Sequence, residues 1–158
     1  KLKKVSIIKI KNQCYDIKIF ENLLDGSENF ALTKGDLNQN INPRVRVISS
    51  NIIKNYLMGE NFPNAFNQTL EYFKKYKYCV LIFIRDTNLK SVSETLRGYK
   101  SKKFYKGGQD KLIRNYGIGA QIIKALKIKK MILVTRSKKK VVGLEGYGIK
   151  IIKQEILK

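Results

Sequence analysis

The strongest constraint on the fold is the run Tyr78–Ile84, YCVLIFI, in which Val80, Leu81, Ile82, Phe83 and Ile84 follow one another without a polar break. A strand with one wet face alternates apolar and polar residues. An unbroken apolar run needs cover on both faces, so Tyr78–Ile84 reads as a central strand with helices above and below it. The flanking sequence supplies them. In Ala65–Tyr76, Phe66, Leu70 and Phe73 recur at helical spacing, with Lys74, Lys75 and Lys77 placed favourably against the negative end of the helix dipole. In Ile118–Leu126, Ile122, Ile123, Ala125 and Leu126 group on one side, after a Gly-rich turn. Met131–Val134 follows as a second short buried strand.

The remaining segments fill out one layered unit. Val5–Ile10 and Tyr15–Phe20 around Lys11–Cys14 predict a β-hairpin, and Asp25-Gly26 marks a turn within the loop Asn22–Asn29. Phe30–Thr33 and Val45–Ile48 predict strands, the second with Arg44 and Arg46 on the face opposite Val45 and Val47. Asn51–Met58 and Val92–Tyr99 predict short helices, and Gly59–Pro63 a break. Gly143, Gly146 and Gly148 turn the chain into a last strand, Ile149–Ile152. The pattern predicts the α/β class: a mixed β-sheet flanked by helices, with residues 1–29 forming a hairpin and loop that lead into 30–158, all within one compact domain. The chain opens on Lys1 rather than Met, so a segment upstream is expected.

Charge directs attention to anions. Thirty-three Lys and Arg stand against 12 Asp and Glu, a formal +21, and histidine is absent. A field of that size attracts polyanions without regard to their sequence, although the joint abundance of Lys, Ile and Asn is also what an AT-rich genome imposes. No apolar run approaches the roughly 18 residues that span a bilayer, and no membrane partner is expected. Cys14 and Cys79 lie far apart outside any ligand-like cluster, and Cys79 within the apolar run is expected to be a buried free thiol. Two unclustered thiols suit a reducing compartment.

Two segments combine cations with groups that contact nucleotides. Tyr99–Lys111 interleaves Lys100, Lys102, Lys103 and Lys106 with Tyr99, Phe104 and Tyr105, a composition suited to phosphates and bases, or to a solvated loop whose rings fold back on the core. Thr135–Lys140 places Thr135, Arg136, Ser137, Lys138, Lys139 and Lys140 just past the carboxyl end of a strand, where open α/β sheets bind ligands. Without histidine, a Ser/His or Cys/His nucleophile pair has no base. The carboxylates Glu94, Asp110, Glu145 and Glu155 show no paired spacing for acid/base work.

The blocks YGIGAQI at Tyr116–Ile122, a strand ending in Thr135, and K-x-x-GLEGYG at Lys140–Gly148 occur in an order that closely resembles the C-terminal part of GTP cyclohydrolase II, the zinc enzyme that opens riboflavin synthesis. Phe30–Asp36 (FALTKGD) and Val45–Ser50 (VRVISS) are similar to that family's earlier strands. The resemblance implies a GTP cyclohydrolase II-like fold and, for the family, three zinc cysteines. Their positions fall on Asn51 and near Phe62 and Asn64, so zinc is expected to be absent and catalysis lost. The family's nucleotide-holding R-Q-E-G-R aligns with Arg85–Leu89 and keeps only Arg85; its D-x-R keeps Arg114 but has Leu112 at the acid. Its T-N-N-P-x-K keeps Thr135 and Lys140, with cations replacing the rigid turn. Arg114, Thr135 and Lys140 are therefore the implied remnants of a nucleotide or phosphate site.

These readings combine into the expectation of an inactive GTP cyclohydrolase II-like module that binds RNA, as an accessory protein of a mitochondrial ribosome in the matrix. Its RNA contacts would be Lys100, Lys102, Lys103, Phe104, Tyr105, Lys106, Arg136, Lys138 and Lys139. The alternatives are a riboflavin-pathway protein of the bacterial cytoplasm that keeps GTP binding, and a structural subunit of another large complex.

Overall fold

Apolar alternation and the long central run assemble into a seven-stranded sheet of order β1-β2-β3-β5-β4-β6-β7. The computed structural model describes residues 1–38, 41–50, 62–85, 93, 96, 117–136, 138 and 144–157. Its strands are β1 (Leu2–Ile10), β2 (Gln13–Glu21), β3 (Glu28–Lys34), β4 (Arg44–Ser49), β5 (Cys79–Ile84), β6 (Lys130–Thr135) and β7 (Lys150–Ile156). Helix α1 is Phe62–Phe73, helix α2 covers residues 117–125, and a 3-10 turn spans Glu145–Tyr147. β1, β2, β3 and β5 pair antiparallel, whereas β5, β4, β6 and β7 run parallel. The sheet is mixed, as its sequence predicts, and the hairpin is hydrogen-bonded into it through β3.

Both faces of the centre are covered. Val80 and Ile82 point to one side with Ala31 and Val45, against Ala120, Ile122, Ile123 and Leu126 of α2. Cys79 and Leu81 point to the other with Tyr15 and Leu32, against Leu70 and Phe73 of α1. On that second face Phe30 and Phe83, directly paired across β3 and β5, stack with centroids 4.9 Å apart. Cys79 to Ile82 are fully buried, which is why that stretch tolerates no polar residue.

Three boundaries depart from expectation. α1 begins at Phe62 rather than Ala65, since Pro63 falls in the first turn, where its missing N–H would have no intrahelical partner in any case. It ends at Phe73, and the backbone of Lys75 and Tyr76 closes in tighter turns onto Tyr72 and Phe73. β7 continues to Ile156 instead of stopping at Ile152, because a register shift at Met131/Ile132 brings Lys153, Gln154 and Glu155 into pairing with β6. The helix expected at Asn51–Met58 lies outside the described residues; of Val92–Tyr99, Ser93 and Leu96 are described and both are helical.

Candidate functional site

The chain leaves β4 through α1 to β5 on one side, then returns past β4 to β6 on the other. β4 and β6 are thus neighbours whose crossovers diverge, the position at which open parallel sheets bind ligands beyond the strands' carboxyl ends. Their pairing here is short. Their ladder comprises only Arg44 opposite Ile132 and Val45 opposite Leu133, with Ile132 N–H donating to the Pro43 carbonyl at 2.9 Å. Beyond Val45, β4 stays with β5 as far as Ile84, while β6 stays with β7 as far as Ile156. The candidate site is the crevice that such a switch point offers past the carboxyl ends of β4 and β6.

Arg46 bridges its base. The side chain is only 6% exposed, and its guanidinium Nη1 donates to the Val134 carbonyl at 3.4 Å. The alternation of β4 places Arg46 with Arg44 on the α1 side, as read from the sequence, but its reach to β6 was not legible there. Thr135 ends β6 on the α2 side, in phase with the core residues Met131 and Leu133. Thr135 is only 6% exposed and its buried hydroxyl finds no hydrogen-bond partner among the described residues, while its carbonyl accepts from Leu157 N–H at 2.8 Å. An unpaired buried hydroxyl costs about 1–3 kcal/mol, and a ligand oxygen or nitrogen at the crevice would satisfy it.

The first described turn of α2 forms one wall. Gly119 lies over Val47 and Ile84 with space for a methyl group in ordinary contact, and Gly117 faces the Tyr147 hydroxyl from the 3-10 turn. The YGIGAQ and GLEGYG blocks, far apart in the chain, therefore meet beside the crevice. The rim is cationic: Arg136 and Lys138 are exposed past β6 and Arg85 past β5, its backbone N–H held by the buried Asn29 side chain at 2.8 Å. Arg114, Lys139 and Lys140, with the whole segment containing Lys100, Lys102, Lys103, Phe104, Tyr105 and Lys106, lie outside the described residues.

The available donors do not fit a zinc site of the family's kind. The positions implied by the resemblance fall on Asn51 and near Phe62 and Asn64, at the start of α1, and histidine is missing from the chain. Cys79 sits in the sheet interior, where burial pushes its thiol up to about 12 and its Sγ lies 3.8 Å from the Phe73 and Tyr76 carbonyls. Cys14 is exposed on the hairpin. Neither thiol approaches the crevice, and no three His, Cys, Asp or Glu side chains converge among the described residues.

Residues 3–155 match the sequence profile of GTP cyclohydrolase II. The chain belongs to the GTP cyclohydrolase II family. The riboflavin biosynthesis protein RibBA of Aquifex aeolicus is 29% identical over 161 residues, covering 91% of this chain and 38% of that protein. The monofunctional riboflavin biosynthesis protein RIBA 2, chloroplastic, of Arabidopsis thaliana is 31% identical over 140 residues, or 84% of this chain and 29% of that one. A two-domain 3,4-dihydroxy-2-butanone 4-phosphate synthase from A. baumannii, RibBX, shares the fold with a TM-score of 0.60 at 17% identity, covering 99% of this chain and 39% of that one. This family member thus spans less than two fifths of the length of these relatives. The names of the matching relatives correct the expectation of an RNA-binding accessory protein of a mitochondrial ribosome: they are riboflavin biosynthesis proteins, and the plant ones are chloroplastic. Net charge misled because it is a property of the whole surface, whereas function is set at a site.

Proposed function

We propose that this GTP cyclohydrolase II-family chain serves riboflavin biosynthesis as a guanine-nucleotide-binding domain without ring-opening activity. The observation that carries the reading is the buried Thr135 hydroxyl at the β4/β6 switch point, without a partner among the described residues, while the positions that the resemblance assigns to zinc cysteines fall on Asn51 and near Phe62 and Asn64. The hydroxyl would hydrogen-bond the nucleotide, and Arg85, Arg136 and Lys138 would offset phosphate charge at the rim. Arg46 would act indirectly, by holding the Val134 carbonyl and with it the end of β6. The bacterial origin of the Aquifex relative supports the cytoplasm of a bacterium as its setting.

Calorimetric titration of GTP in the presence of EDTA tests this. Stoichiometric binding is expected, and Thr135→Val should weaken it about tenfold. Release of formate from GTP by zinc-supplemented protein would overturn the loss of catalysis, and absence of GTP binding would overturn the nucleotide site.

A further inference from the structure

At the opposite end of the sheet from the crevice, where β4 and β6 begin, lies a groove of about 320 Å³. Its floor is apolar, from Leu37, Ile41, Pro43 and Ile128, and its rim carries Lys127, Lys129 and Lys130. Two more lysines lie next to these: the Lys124 carbonyl accepts from Lys127 N–H, and Lys150 pairs directly with Lys130, its N–H donating to the Lys129 carbonyl at 2.8 Å. All of these lysines are exposed, and none forms an ion pair among the described residues. The nearby Asp36 carboxylate accepts from Asn38 N–H at 3.0 Å.

The backbone adds an independent sign. α2 ends with Ile128 N–H donating to the Ile123 carbonyl and Lys127 N–H to the Lys124 carbonyl, a closure that puts Lys127 at φ 60. Glycine is the usual residue at such a position, since a side chain there is strained. Cations near a helix C-terminus are favourable, which accounts for Lys124. It does not account for a strained lysine, nor for Lys130 and Lys150 set directly opposite each other, where like charges repel.

We infer that this groove docks an acidic, apolar segment of a partner protein, its carboxylates meeting the lysine rim and its apolar side chains the floor. A second copy of the chain, itself at +21, is the wrong electrostatic complement. Nucleic acid is a poorer match, since the lining offers no aromatic ring on which a base could stack.

Fluorescence anisotropy of the intact chain with a fluorescein-labelled peptide alternating Glu and Leu tests the inference, against a control peptide with Ser replacing Leu. The Glu/Leu peptide should bind about tenfold more tightly than the control, reporting the apolar floor. Lys129→Gln with Lys130→Gln should weaken it about fivefold to tenfold and leave GTP titrations unchanged. Lys127→Gly should weaken it too, yet raise the melting temperature by about 2–4 °C as strain is relieved. Equal binding of both peptides with displacement by inorganic polyphosphate would reduce the groove to general attraction of polyanions and overturn the inference. So would undiminished peptide affinity in the lysine variants, or no peptide binding at all.

Discussion

Cys14 and Cys79 show how position governs one functional group. Cys79 is fully buried and its thiol is pushed up to about 12, so it should resist maleimide until the chain unfolds, while exposed Cys14 labels at once. Mass spectrometry should find one label on the native protein and two in denaturant. Because Cys79 keeps its proton in the folded state up to about 12 but loses it near 9 when unfolded, its contribution is complete below pH 9 and fades as pH climbs toward 12. Burial raises Tyr15 to about 12 as well, with the same sign. Denaturant midpoints should therefore fall with rising alkalinity, and Cys79→Ala should flatten that slope.

Among glycines, Gly35 is at φ 84, and a Cβ there would meet the Lys77 carbonyl at 2.6 Å. Gly35→Ala should cost on the order of 2 kcal/mol in chemical denaturation. Gly119→Ala, in a buried helical position where the added methyl would meet Val47 and Ile84 in ordinary contact, should be neutral or stabilising by up to about 1 kcal/mol.

At the level of elements, β5 and both core helices could be read from apolar spacing, because burial on two faces or one stripe writes itself into consecutive residues. β7 could not be read past Ile152, because its continuation is specified by a distant partner. Arg44 of β4 makes paired contacts at 3.1 Å to Glu155 of β7, across β6, and its guanidinium lies 3.4 Å over the Tyr76 ring. Both side chains of the pair are mostly buried, at 21% and 15% exposure. Glu155→Gln or Arg44→Met should cost about 2 kcal/mol each by equilibrium denaturation, and the double variant less than their sum.

For the molecule as a whole, the lack of histidine and the wide spacing of Cys14 and Cys79 were legible because residue types are read directly off the chain. At the β4/β6 switch point, Thr135 could be named by resemblance, whereas the contact of Arg46 with the Val134 carbonyl could not be read, since an arginine in a strand reads the same whether it points to water or reaches a neighbouring strand. Nor could the amino-end groove be read, because Leu37, Pro43 and Ile128 converge only after the sheet is ordered.

The ladder between β4 and β6, two pairs long, is the shortest in the sheet among the described residues. A nucleotide lodged between them would act as a rivet, joining the hairpin half to the β6–β7 half. Hydrogen exchange should then slow on both sides of the join when GTP is added, at Val47–Ser49 and at Val134–Thr135 together. Slowing confined to one side would mean that the guest clings to a single flank and leaves the two halves free to breathe apart.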